Sequence, residues 1–205
     1  MANLDLEQRH PFPQNPVRSP SASDARERGC WRAEAERLDL AVYAAIAATP
    51  TPTLDVAMSR LSRAADHSKI SLTAAAILAG AGGRLGRRAA WSGLVSVATT
   101  ATVVNLALKR VGRRRPDPVK ADVPLARRVR MPRSTSFPSG HSASAFAFAT
   151  GVGQVLPRQA VPLHVLAALV AYSRVHTGVH YPADAIAGAV VGTALAQLAT
   201  GALRR

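Results

Sequence analysis

The chain has 205 residues, of which 48% are hydrophobic but only 4% aromatic, and a formal charge of +14. That length fits one domain with a sizeable core and excludes two ordinary ones. Apolar content made mostly of Ala, Val and Leu favours close-packed helices over a β-sandwich.

The charge is uneven. Residues 1–37 hold six Arg against six acids, whereas residues 109–133 hold ten Lys and Arg against Asp117 and Asp122. A local basic excess attracts phosphates, whether of nucleic acid, lipid headgroups or a small substrate. Cys30 is the only cysteine, which excludes an intrachain disulfide.

Residues 1–37 carry Pro11, Pro13, Pro16 and Pro20, many charges and no apolar run. They are expected to be a disordered tail, because they bury too little to offset the entropy of ordering. No apolar core follows the first residues, so membrane insertion is expected from internal segments.

Six apolar stretches follow at about 38–49, 70–83, 89–108, 142–156, 159–173 and 184–202, punctuated by Pro, Gly, Arg and Lys. They are read as six helices of one domain over 38–205. Stretch 89–108 is free of charge and, at about 20 residues, long enough to cross a bilayer core. Stretch 184–202 is nearly as long and carries Gly188-x-x-x-Gly192, a small-residue face suited to close helix packing in lipid. The expected architecture is therefore all-α: a six-helix, membrane-embedded bundle.

Polar residues gather after the third stretch (109–116), before the fourth (138–141) and between the fifth and sixth (173–184). Helices that cross alternately bring these three clusters to one face. Convergence follows from helix order alone and predicts an active site at one membrane face.

In the first cluster, Lys109, Arg113, Arg114 and Arg115 offer cationic donors suited to phosphate oxygens. In the second, Pro138-Ser139-Gly140-His141 opens a helix, where free amides point outward and Gly140 admits an anion. In the third stand Arg174, His180 and Asp184. A carboxylate accepting one imidazole N–H leaves the other ring nitrogen free to attack, and steadies the charge that develops on the ring. Pro182 suits a helix start better than an interior. His176 and His180 share metal-site spacing, but no His-Glu-x-x-His pattern is present. His164 and His67 stand apart from the clusters and read as structural or interfacial.

With these residues in view, the chain resembles the type 2 phosphatidic acid phosphatase family, in the bacterial membrane branch of the lipid phosphate phosphatase and haloperoxidase-like superfamily. Pro138-Ser139-Gly140-His141 matches its second motif and Ser173-Arg174-x5-His180-x3-Asp184 its third. The first motif, Lys-x6-Arg-Pro, is one residue short here, with five residues between Lys109 and Arg115-Pro116. Either a tightened turn still brings Lys109 to the phosphate, or Arg110 or another neighbouring Arg substitutes; Arg115 is the firmer assignment.

The resemblance implies that His180 attacks phosphorus, Asp184 orients it and His141 protonates the leaving oxygen. Arg174, Arg115 and Lys109 would hold the phosphate, with hydrogen bonds from Ser139 and Gly140. It implies a lipid phosphatase with no metal and no cofactor, acting through a phosphohistidine. The substrate would be a lipid-linked phosphate such as a polyprenyl diphosphate, a polyprenyl sugar phosphate or phosphatidic acid. The expected location is multi-pass in the cell membrane with the site on the outer face, membrane lipids as partners and no nucleic acid. Two alternatives compete: a non-catalytic protein binding nucleic acid or headgroups through 109–133, which leaves His141, His180 and Asp184 without a role, and a vanadate-dependent haloperoxidase, a soluble class that the apolar spans argue against.

Overall fold

A computed structural model describes residues 22–110 and 112–202. Among these residues there are seven α-helices and no strand: α1 (Ala22–Ala48), α2 (Pro52–Ala64), α3 (Lys69–Ala81), α4 (Gly83–Leu106), α5 (Gly140–Gly153), α6 (Pro157–His176) and α7 (Pro182–Ala202). Short 3-10 turns lie at Asp66–Ser68, Leu108–Arg110 and Leu125–Arg127. The chain divides into two units, Met1–Glu36 and Arg37–Arg205. Apart from the N-terminal tail, all that follows concerns the second.

The tail expected over 1–37 is described only from Ala22, where α1 begins; 1–21 lies outside the described residues. The bundle has seven helices where six were expected. The addition is α2, whose apolar residues recur at helical spacing and form no continuous run longer than Val56-Ala57-Met58. Pro52 opens it, and it turns Asp55, Met58, Ser59 and Ser62 inward.

At the centre, α5 packs against α4, α6 and α7, with α3 on α4 and α2 on α6. The core is built of small residues: Ala89, Ala143, Ala147, Ala149 and Ala196 are wholly buried. Side chains this short let helix backbones close on one another. A Cβ on Gly188 would meet the Ser139 carbonyl, and one on Gly192 the Ala143 carbonyl. The α5–α7 contact is thus backbone against backbone, and it sets Ser139 and Asp184 side by side.

The outside is apolar. Val161, Val165 and Leu169 form an exposed stripe on α6, and Ile186 and Val190 one on α7, while Ser96, Thr100 and Ser142 are buried. An exposed apolar face over polar buried residues is the informative inversion of soluble packing. Gly83–Arg110 and Pro182–Gly201 are each long and apolar enough to cross a membrane.

Candidate active site

Three segments converge at one end of the bundle. After α4 the chain tightens into the turn Leu108–Arg110, and the returning loop is strapped to it: Thr135 Oγ1 donates to the Lys109 carbonyl at 2.8 Å and Ser136 N to that of Arg113 at 2.9 Å. Lys109 Nζ then donates to Ser134 Oγ at 3.0 Å, and Arg115 Nη2 reaches the same oxygen at 3.2 Å. Lys109 also lies against Gly140. The short first motif therefore still delivers Lys109 to the site. Arg110 and Arg114 are exposed.

Pro138, preceded by a cis peptide bond, leads into α5. Ser139 caps that helix, its Oγ accepting from Ser142 Oγ at 3.0 Å, and its own amide donates to the Asp184 carbonyl at 2.9 Å. The Ser139 amide is thus used within the fold. The following amides of the first turn, at Gly140 and His141, keep the unpartnered position of a helix start.

The third segment owes its shape to the end of α6. Gly178 turns at φ 73°, and the amides of Val179 and His180 both donate to the Arg174 carbonyl, at 3.0 and 3.1 Å. Pro182 then opens α7, and the Tyr181 amide donates to Asp184 Oδ2 at 3.0 Å. His180 therefore sits in the connection, with Asp184 in the first turn of α7.

His180 and Asp184 are buried. Nδ1 of His180 lies 3.6 Å from Asp184 Oδ2, with Ser136 Oγ beside both, 3.4 Å from Nδ1 and hydrogen-bonded to Oδ2. On the other side of the ring, Arg115 Nη1 approaches Nε2 at 3.0 Å. A guanidinium only donates, so Nε2 accepts and the ring proton resides on Nδ1, facing the carboxylate. Burial, then Arg115 and Arg174, hold the His180 imidazole down to about 4 against the opposing pull of Asp184. Burial and Arg174 likewise bring Arg115 down to about 10, which still leaves it cationic at neutral pH.

Arg174 is almost wholly buried; its Nη1 donates to Ser62 O at 3.0 Å and Ser62 Oγ at 2.7 Å. Its Nε is buried with no hydrogen-bond partner among the described residues. A buried, unpartnered cationic donor is costly unless a ligand meets it. What the cluster can do chemically is hold a phosphate in cationic donors beside an imidazole nitrogen whose lone pair now accepts from Arg115 and is freed for attack when the Arg115 guanidinium turns to a phosphate.

The PAP2 superfamily model matches residues 89–205, more than half of the chain and every cluster residue named so far except Ser62. The chain belongs to the PAP2 superfamily.

Two lipid A 1-phosphatases are similar to this PAP2 chain: that of Rhizobium etli at 32% identity over 102 residues, and that of Rhizobium johnstonii at 42% over 57. Those alignments cover 47% and 28% of this chain but only 43% and 23% of the relatives' lengths. Two crystal structures share the fold at TM-score 0.65. One is Aquifex aeolicus LpxE, 24% identical, covering 80% of this chain and 95% of that one. The other is a transmembrane PAP2-type phosphatidylglycerolphosphate phosphatase from Bacillus subtilis, 27% identical, covering 83% and 87%.

Every site residue expected from the sequence of this PAP2 chain lies in or against the cluster. Six residues were not assigned there, among them Ser62 on Arg174 and Asp39 on Arg113. Arg113 was noted only as a cation, yet its Nη1 donates to Asp184 Oδ1 at 2.8 Å. Ser134 and Ser136 precede the second motif in a polar run whose local pattern reads only as loop. Asp66 lies in Asp66-His67-Ser68, far from every cluster in sequence. His176, noted for its spacing to His180, is held structurally with Nε2 3.0 Å from Asp55 Oδ1, and His164, expected to be structural, has Nε2 3.2 Å from Thr150 Oγ1.

Proposed function

We propose that this PAP2 protein is an integral-membrane phosphatase that hydrolyses a phosphomonoester or diphosphate of a lipid-linked substrate through a phosphohistidine on His180. The observation that carries the reading is the state of His180: a neutral imidazole whose Nδ1 faces Ser136 and Asp184 and whose Nε2 lone pair points at the cationic groups.

Arg115, Arg174 and Lys109 bind the phosphate and spread its negative charge, and the first-turn amide of Gly140 adds a donor. His180 Nε2 attacks phosphorus in line while Asp184, tied through Ser136, balances the charge that builds on the ring. His141 protonates the departing oxygen, then takes a proton from the water that cleaves the phosphohistidine. The cationic side chains supply the neutralisation, so the reading needs no metal.

A lipid-linked substrate is supported by the apolar exterior of α6 and α7 and by a groove of about 230 Å³ that runs from Lys109, Gly140 and His141 between α3, α4 and α6. We place α3 to α7 across the membrane, with the site on the outer face. The outer-face assignment follows the family resemblance and not the count of cations, since the ten Lys and Arg of residues 109–133 outnumber Arg84, Arg87 and Arg88 at the opposite end of α4.

The test is phosphate release from a panel of phosphatidic acid, phosphatidylglycerol phosphate, lipid A 1-phosphate, a polyprenyl diphosphate and a polyprenyl sugar phosphate, using detergent-purified enzyme. Turnover of at least one substrate, with radioactive phosphate trapped on wild type and absent from His180→Ala, is expected. Label persisting on His180→Ala would move the nucleophile elsewhere.

A further inference from the structure

We propose that Asp66 is the positioning carboxylate of His141, so that the site holds a second His–Asp pair, this one acting on the leaving group. The proposal rests on the phosphatase reading above and concerns a residue outside the three motifs and outside the region 89–205 that the family model matches.

The geometry points to this role. His141 Nε2 lies 3.0 Å from Asp66 Oδ1, a hydrogen-bond distance. The same oxygen receives Arg174 Nη1 at 3.4 Å. Asp66 is brought there by a break between α2 and α3, where His67 and Ser68 both adopt φ 57°. Two successive non-glycine residues in the left-handed region are uncommon and cost energy, so this turn holds its shape against a local preference. Ser62, one turn earlier on α2, secures Arg174. The end of α2 thus serves both the phosphate clamp and the acid.

The chemical consequence is the tautomer of His141. A carboxylate on Nε2 keeps a proton there through the whole cycle, which leaves Nδ1 as the exchanging atom. In the first half-reaction His141 must act as an imidazolium, a form that Asp66 and the bound phosphate's negative charge favour against burial and Arg174. As His180 Nε2 bonds to phosphorus and the bond from phosphorus to the leaving oxygen breaks, that oxygen takes the Nδ1 proton. His141 becomes neutral, with its remaining proton on Nε2 and a lone pair on Nδ1. In the second half-reaction Nδ1 takes a proton from water, whose oxygen bonds to phosphorus as the His180 bond breaks, restoring both rings. His180 is the mirror case, with its proton held on Nδ1 and Nε2 reactive. The charged and titratable groups around His141 are Asp66, Arg174, His180 and, beside the preceding Gly140, Lys109.

A purely structural Asp66 would serve Arg174 alone, and leaving-group chemistry separates the two roles. Rates of phosphoenzyme formation would be measured by rapid quench on the full chain in detergent, with a radiolabelled alkyl phosphate and a nitrophenyl phosphate. The second leaving group departs without protonation. Asp66→Asn is expected to slow labelling from the alkyl ester at least ~10-fold and from the aryl ester less than ~2-fold, with Asp66→Glu regaining part of the alkyl rate. Equal slowing on both esters, a rise in KM on both at unchanged rate, or no change on either would overturn the proposal. Wild type that neither releases phosphate nor takes label from either ester would instead sink the phosphatase reading itself.

Discussion

Arg113 joins two carboxylates across the site: Nη1 donates to Asp184 Oδ1 at 2.8 Å and Nη2 to Asp39 Oδ2 at 2.7 Å, with the guanidinium 4.3 Å from the Tyr181 ring centroid. Asp184 is wholly buried and Asp39 nearly so, and a buried carboxylate needs this compensation. Asp39 Oδ1 also accepts the Ala183 amide at 2.8 Å, so α1 is tied to the start of α7 through the same group.

Arg113→Ala is therefore expected to lower stability by ~2 kcal/mol, the scale of a hydrogen bond to a charged group, and to slow phosphoenzyme formation by loosening Asp184. Thermal unfolding in detergent with labelling kinetics checks both. Unchanged values for both would show Arg113 to be incidental.

Arg115→Ala should reduce turnover more than Lys109→Ala. Arg115 donates to Ser134 O, Ser134 Oγ, Thr135 O and Val179 O and meets His180, whereas among the described residues Lys109 Nζ donates to Ser134 Oγ alone. A loss of ~100-fold or more is expected for Arg115→Ala, on the scale of one lost oxyanion donor. Steady-state kinetics of the two variants decide it; a larger loss with Lys109→Ala reverses the assignment.

The acid limb of kcat/KM should lie well below the ordinary histidine range. The neutral His180 ring is the attacking form, and burial with Arg115 and Arg174 holds it near 4 instead of 6.5, so activity persists as pH falls until the ring protonates. Arg115 lowers this value, so Arg115→Ala should shift the limb to higher pH even as it slows the reaction. Asp184 raises it, so Asp184→Asn should not shift the limb upward. A pH profile for the three enzymes gives the signs.

Gly192→Ala should destabilise the bundle by ~1–3 kcal/mol, as overpacking does, because its Cβ would collide with the Ala143 backbone. Gly201→Ala, with open space around it, is the control and should be neutral. Equal thermal stability of the two variants would mean that α5 and α7 are not in this register.

Activity should survive a strong chelator, because side-chain cations neutralise the phosphate. Loss of turnover with EDTA, restored by an added divalent metal, would overturn that part of the mechanism.

The sequence by itself determined the helical class, the positions of the long apolar helices and the convergence of three polar clusters. Each follows from features that act along the chain: apolar run length, Pro and Gly punctuation, and the parity of crossings. It also singled out His141, His180 and Asp184, because an ionisable group at the edge of an apolar helix calls for a partner. It missed α2, whose apolar residues form no long continuous run.

Only the tertiary structure decided which groups those residues meet. The tightened turn that carries Lys109 to Ser134, the Arg113–Asp184 pair and the Asp66–His141 pair join residues 25, 71 and 75 positions apart. No periodicity encodes such pairings. They arise because the small residues of α5 and α7 let backbones close, because α2 lies on α6, and because side-chain donors buried by that packing must find acceptors within reach.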